Sequence, residues 1–280
     1  MTNIDPTVNA VRIAVENSLV DYDVLDFDTL YSRQEDFVPQ EKITTAMVVG
    51  TGAIGRQVAI LLSRMGCHTI TLVDPQRVDL SNVSSQGFSI LDVGDEKTAA
   101  VKRECCLGGV NTISICDYYR SSRDSANPAN QQVVFCCVDN MSVRKVIFDQ
   151  HIKCLSLFGG IKCPYSEKSE SFFFCDGRML GENLRILTAA DHNSRKYYLD
   201  PENLYTTDQA EKGSCTSKTT LYAAYIIAGR MVHMYSRWLR NLPVDYDVLE
   251  NVLASEVTVL MNGQTYEEER QQLQSSQASV

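Results

Sequence analysis

The sequence predicts an α/β fold, a doubly wound and mainly parallel sheet with helices on both faces. Three observations carry this. Strand and helix patterns alternate from Thr45 to about Phe158, as a parallel sheet built of strand–helix–strand units requires. Apolar runs such as "VVFCCV" lack polar alternation, as strands covered on both sides do. The stretch "VVGTGAIGRQVAILLSRMGCHTITLVD", residues 48–74, reads as strand, glycine turn, helix and second strand ending in an acid.

Taken in order, "AMVVG" is a buried strand ending in glycines. The helix over 53–65 follows from apolar spacing at Ile54, Val58, Leu61, Leu62 and Met65, with Gly66 as its stop. "TITLV" is the next strand, followed by a helix over about 95–107, the strands "TISIC" and "QVVFCCV", a helix over about 141–152 and a strand at "CLSLF". Beyond Gly160, "SFFFC" reads as a further strand and 181–214 resists assignment. Residues 216–240 read as one long helix with small residues that allow close packing, and "SEVTVLM" as a last strand. At the N-terminus, 7–18 form an amphipathic pattern through Val8, Val11, Ile13 and Val15. The tail "GQTYEEERQQLQSSQASV" holds too little apolar surface to fold alone, so 263–280 are expected to be disordered. Gly50, Gly52 and Gly55 form G-x-G-x-x-G, with Asp74 about twenty residues on, which makes the fold Rossmann-like and a nucleotide site its expected feature.

Composition excludes several classes. A net charge of −9 argues against a sequence-independent grip on nucleic acid. No apolar run reaches about 18 residues and the start "MTNIDPTVN" is polar, so neither a membrane span nor a secretory signal is expected. Ten cysteines fall as two vicinal pairs and six singles with no C-x-x-C, which fits buried thiols in a reducing cytoplasm rather than a disulfide framework or a zinc site. The four histidines are dispersed and read as structural or surface residues.

The glycine loop alone leaves the nucleotide open. Asn82, Gln86 and Lys97 follow Asp74, and Asp139-Asn140 stands at the end of a predicted strand, where open α/β sheets bind ligands. NAD needs no lysine over its phosphates. A triphosphate does, and Lys97 with a metal on Asp139 would neutralise charge on departing pyrophosphate. Taken singly, Lys97 also reads as a solvated helix residue, Asp139 as an N-cap and Asn82 as a turn former.

Their joint order decides. "LYSRQEDFVPQEKITTAMVVGTGAIG", "VDPQRVDLSNVSSQ", "DVGDEKTAAVK" and "VDNMSVRKVI" together resemble the ThiF/MoeB/HesA adenylyltransferase family, relatives of the ubiquitin-activating enzymes. The resemblance is good over 30 to about 160 and weaker over about 213–235. It implies ATP and Mg2+ as cofactors and adenylation of a C-terminal glycine carboxylate on a ubiquitin-like or sulfur-carrier protein or a peptide, by a homodimer in the cytoplasm. It also implies a division into an arginine-bearing arm with an N-terminal helix (1–44), an adenylyltransferase domain (45–262) and the tail (263–280). By the same resemblance, Gly50, Gly52 and Gly55 cradle phosphate and Asp74 holds the ribose. Asn82, Gln86 and Lys97 surround the phosphates, and Asp139 binds magnesium. Arg33 of "YSRQ" matches the arginine that family dimers insert into the partner's ATP site. Cys215 in "EKGSCTSKTT" stands about where some relatives carry a functional cysteine, ahead of a helix whose N-terminus favours thiolate.

The chain departs from the family pattern at Ser85, where members commonly carry a phosphate-touching arginine. Arg56 and Arg77 are the cations at hand to replace it. The zinc-binding cysteine pairs of several members are missing, so no structural zinc is expected. Two other readings stay open: a non-catalytic scaffold subunit paired with an active partner, which Ser85 allows, and an NAD-dependent oxidoreductase, for which no hydride-site acid or base is evident.

Overall fold

A computed structural model describes residues 30–119, 133–157, 172–204, 219–261 and 264–265. The helix expected over 7–18, Cys215 and all of the tail but Gln264–Thr265 lie outside the described residues.

Among the described residues nine strands form one sheet, β1 (Ala46–Val49), β2 (Thr69–Val73), β3 (Asn111–Ile115), β4 (Val133–Cys136), β5 (Phe173–Leu180), β6 (Asn183–Ala189), β7 (Asp245–Asn251), β8 (Glu256–Met261) and β9 (Gln264–Thr265), in the order β3-β2-β1-β4-β5-β6-β7-β8-β9. From β3 to β5 every neighbouring pair is parallel; from β5 to β9 every pair is antiparallel. The described helices are α1 (Ala53–Arg64), α2 (Leu80–Gln86), α3 (Lys97–Cys106), α4 (Met141–Leu157), α5 (His192–Tyr198) and α6 (Leu221–Leu239).

Strand pleating explains the two-sided core, because neighbouring side chains point to opposite faces. In β1, Ala46 and Val48 join the cluster under α1, α3 and α6 with Val58, Leu62, Val101, Phe135, Ile227 and Tyr235. Met47 and Val49 join the opposite cluster under α4 and α5, with Ile147, Phe148, Phe174 and Tyr198. All four β1 residues are buried, so the absence of polar alternation follows directly. α6 lays Ala223, Ala224, Ile227, Ala228 and Met231 inward, where its alanines let it approach the sheet and α1.

Local signals set the boundaries. α1 ends at Gly66, whose φ of +86° is costly for any residue with a Cβ. α2 opens on a capping box between Asp79 and Asn82 and closes on Gly87 at φ +81°. α5 opens on a capping box between Asp191 and Ser194. α6 begins at Leu221 rather than 216, because Thr219 and Thr220 stand before it and Thr220 is extended.

Three expectations change. "CLSLF" is not a strand: residues 154–157 continue α4, and the parallel strand beside β4 is β5 instead. Periodicity cannot separate a short apolar strand from the end of a buried helix. The unassigned stretch after 181 holds β6 and α5, and β7 is an element the sequence reading passed over. Gln264–Thr265, inside the expected tail, pair with β8. Among the described residues no helix is long and apolar enough to cross a membrane.

Candidate functional site

The C-terminal ends of β1, β2 and β4 meet in one crevice, as open α/β sheets place their ligand sites. Gly50 leaves β1 at φ +87°, and a Cβ there would stand 2.7 Å from the Cys137 carbonyl oxygen. Gly55 faces the Gly50 carbonyl so closely that a Cβ would fall well inside van der Waals contact. Gly52 caps α1 without a side chain, so the first N–H groups of the helix have no side-chain cap, and the Gln86 amide lies against Gly52. These three glycines therefore let the loop fold tightly and leave donors free for an anion.

Asp74 is buried and fixes the loop from beneath. Its Oδ2 accepts from the Thr51 N–H at 2.7 Å and its Oδ1 from the Gln76 N–H at 2.8 Å. Each oxygen keeps a further lone pair for another donor, such as a ribose hydroxyl. Lys97, read from sequence either as a phosphate cation or as a solvated helix residue, is 4% exposed. Its Nζ donates to Gln76 Oε1 at 2.8 Å, and the charges of Asp74, Asp139 and Asp79 act on it. Burial pulls its pKa below the ordinary 10.5, and the three carboxylates pull it back up. Structure thus brings Gly50, Gly52, Gly55, Asp74, Gln86, Lys97 and Asp139 to one place.

Asn82 has a second employment. Its Oδ1 accepts from the Asp79 N–H at 3.0 Å to complete the capping box of α2, and its Nδ2 lies 3.4 Å from Ser81 Oγ. Gln86 turns its Oε1 toward Gly52, where that oxygen is buried and without a protein partner. Asp139 does not cap α4. Asn140 does, with its Oδ1 accepting from the Val143 N–H at 3.1 Å, which leaves the exposed Asp139 carboxylate without a hydrogen bond among the described residues. Among those residues no three His, Cys, Asp or Glu side chains gather to hold a metal alone. A single free carboxylate fits magnesium that takes its other ligands from phosphate and water.

Arg33 lies elsewhere. It is exposed on the 3-10 turn Ser32–Gln34, and that turn is tied to the C-terminal end of α1. Gln34 Nε2 donates to the Arg64 carbonyl at 3.1 Å, Gln40 Nε2 to the Met65 carbonyl at 3.0 Å, and Tyr31 packs over Gly66. Twelve helical residues rise about 18 Å, so α1 separates Arg33 from its own glycine loop. Ser85 spends its hydroxyl on the Ser81 carbonyl at 2.7 Å. The two cations at hand to replace an arginine there have other partners: Arg56 pairs with Glu104 and lies over the Phe88 ring, while Arg77 donates to the Gly94 carbonyl and pairs with Glu96.

Gln76, Thr51 and Asp79 were not singled out from the sequence, although they shape the crevice. Gln76 follows Asp74 by two positions, and a polar residue at that offset carries no distinctive signal. Replacing Gly55 with alanine must push the loop away from Gly50. We expect a stability loss of about 1–3 kcal/mol by urea unfolding together with weakened nucleotide binding. Unchanged nucleotide affinity in that variant would show that the loop does not hold phosphate.

Comparison with known proteins agrees with this geometry. A profile of the ThiF family matches residues 31–242. Over 115 residues the chain is 31% identical to "Adenylyltransferase and sulfurtransferase MOCS3" of Caenorhabditis briggsae, a match covering 39% of this chain and 28% of that relative's own length. Escherichia coli MccB with ATP superposes at TM-score 0.60 with 14% identity, covering 94% of this chain and 81% of MccB. The microcin C7 biosynthetic enzyme MccB in complex with N-formylated MccA gives TM-score 0.61 at 15% identity over 95% and 82% of the two chains. PaaA gives 0.60 at 14% over 88% and 86%. At such identities these structures speak for the fold alone; the sequence profile speaks for the family. With three quarters of its length matched and the glycine loop, acid and buried lysine in one crevice, the chain belongs to the ThiF family.

Proposed function

We propose that the chain is an ATP-dependent adenylyltransferase that activates the C-terminal carboxylate of a ubiquitin-like or sulfur-carrier protein, or of a peptide, as an acyl-adenylate. The observation that carries this is Lys97: a buried ammonium in the field of Asp74, Asp79 and Asp139, beside a glycine loop whose helix has no side-chain cap. NAD keeps its pyrophosphate through hydride transfer and needs no such cation over its phosphates. A relative named as an adenylyltransferase and MccB structures with ATP and with MccA support the same reading.

In this mechanism an acceptor carboxylate oxygen forms a bond to the α-phosphorus, the bond from that phosphorus to the bridging oxygen breaks, and pyrophosphate leaves with the electron pair. Asp74 orients the ribose, and the glycine-loop N–H groups and Gln86 line the phosphate path. Lys97 neutralises charge building on the departing pyrophosphate. Asp139 would hold the magnesium that screens the phosphates. Cys215, outside the described residues, is the proposed thiol acceptor for a later transfer. A reducing cytoplasm is the compartment proposed for it, and the seven described cysteines are thiols rather than disulfides.

Arg33 acts from a second copy in a homodimer. Its place at the far end of α1 and its lack of a partner among the described residues support this. Arg33→Ala should lower acceptor-dependent pyrophosphate exchange about 10- to 100-fold, the worth of a charge-assisted hydrogen bond. Mixing Arg33→Ala with Lys97→Met should restore about a quarter of wild-type exchange, since half the dimers are mixed and each has one complete site. No restoration after subunit exchange would place Arg33 in cis or outside the reaction.

The test of the activity itself is exchange of labelled pyrophosphate into ATP with candidate proteins ending in Gly-Gly. Exchange that requires one such acceptor supports the proposal. ATP binding without exchange for any acceptor would favour the second reading, a scaffold subunit. That reading draws on Ser85 and on the prior engagement of Arg56 and Arg77. Co-purification with a longer homologue would then identify its active partner.

A further inference from the structure

We propose that Arg144 is a positioning residue that sets Asp139 for the metal–nucleotide complex, acting through the backbone on both sides of it. The inference rests on the role given to Asp139 above. Arg144 stands one turn into α4, and its own N–H donates to the Asn140 carbonyl at 3.2 Å. Its guanidinium turns back, so that Nη2 donates to the Val138 carbonyl and Nη1 to the Gly177 carbonyl at 3.2 Å. One side chain therefore grips the residue before Asp139 while its backbone grips the residue after. Asn140 closes the loop again by capping α4 through Val143.

The grip is anchored in the sheet. Nη1 of Arg144 also pairs with Asp176 of β5, which is fully buried. Asp176 is shared: Arg178 donates to its Oδ2 through Nε at 2.9 Å and Nη2 at 2.8 Å, and the Tyr198 hydroxyl donates at 3.1 Å. Tyr198 in turn packs on Phe148 and Phe174, with ring centroids 4.5 and 5.1 Å away. Two guanidiniums around one carboxylate leave a buried surplus of positive charge. Apolar side chains of similar volume often join two elements at less desolvation cost, so cohesion alone is a weak account of this cluster. What it contributes is direction: the forked donor fixes the Val138 carbonyl, and with it the backbone from which the Asp139 carboxylate projects. Outer residues of this kind commonly carry 10- to 100-fold of a metal site's affinity.

The experiment measures binding of a non-hydrolysable ATP analogue to the full chain by calorimetry, with Mg2+ and with EDTA, and Mn2+ binding by electron paramagnetic resonance. Arg144→Lys keeps the charge and loses the fork. We expect at least about tenfold weaker metal-dependent nucleotide binding and a changed Mn2+ signal, with metal-free affinity within about twofold of wild type and cooperative unfolding retained. Wild-type metal dependence in this variant would overturn the proposal, as would equal loss of metal-free and metal-dependent binding, which marks a general structural role. Should Arg144→Lys fail to fold, Tyr198→Phe keeps the ring packing and removes one bond to Asp176. A smaller loss confined to the metal-dependent component is expected there, and no such loss would overturn the proposal. Asp139→Asn separates the two readings: if it retains full metal dependence, the assignment of Asp139 falls, whatever Arg144 does.

Discussion

Lys97→Met is expected to lower acceptor-dependent pyrophosphate exchange by about 10²–10³-fold while the protein still folds. The range is that of removing one preorganised donor aimed at developing charge. Methionine matches the lysine stem in volume and removes the ammonium. The variant would leave Asp74, Asp79 and Asp139 without the cation among them. The loss should therefore appear in kcat as well as in affinity for ATP, because the charge to be met grows as pyrophosphate departs. The pH profile supplies a second reading of the same residue. Lys97 works protonated, and burial holds its pKa below 10.5, so activity should fall as pH rises through that lowered value. Lys97→Arg, whose guanidinium stays charged, should carry the alkaline limb higher. An unchanged rate in Lys97→Met would remove the lysine from the chemistry and the adenylation mechanism with it.

His151 should make the fold lose stability in acid. It lies 1% exposed on α4, its ring near Phe172 and Phe174, and neither nitrogen has a hydrogen-bond partner among the described residues. Burial and the positive charge of Arg195 hold its pKa down from 6.5 to about 3. The sign follows by comparing the two states. Above pH 6.5 both forms are neutral and no cost arises. Below it the unfolded chain takes up a proton that the native site refuses, so stability declines as pH falls from 6.5 toward 3. A gap of this size corresponds to about 3 kcal/mol at pH 4 and about 4–5 kcal/mol at pH 3. His151→Leu removes that component. Urea unfolding at pH 7 and pH 4 should show a steeper decline for wild type than for the variant, and parallel declines would show that His151 is protonated in the native state. The sequence reading of the histidines as structural or surface residues holds for His151, and only packing shows its consequence.

The parallel half of the sheet was legible because its signals are local. Glycines followed by a helical apolar period, and strands without polar alternation, each sit within a dozen residues, and β1, α1 and β2 appear where those patterns fall. The antiparallel half was only partly legible. β5 and β8 show as apolar runs, but β6 lies in the stretch that resists assignment and β7 went unread, since Arg185, Asp245 and Asp247 interrupt their apolar pattern. In the fold, Asp247 meets Arg185 at 2.7 Å and Asp245 meets Arg237 at 2.7 Å, and these partners lie far along the chain or on another element.

The same division runs through the site. Sequence by itself determined the nucleotide crevice, since a glycine turn between strand and helix can be read from residue types and spacing alone. The family motifs then marked Lys97, Asp139 and Arg33. Only the tertiary structure shows where each stands and what it meets. It buried Lys97 among three carboxylates, gave Asn140 rather than Asp139 the cap of α4, and put Arg33 at the wrong end of α1 for its own site. It also made Arg144 the clamp on Asp139, through an aspartate 32 positions away in the chain. The reason is physical: backbone conformation follows from neighbours in sequence, whereas burial, charge pairing and aim depend on groups that meet only when the sheet closes.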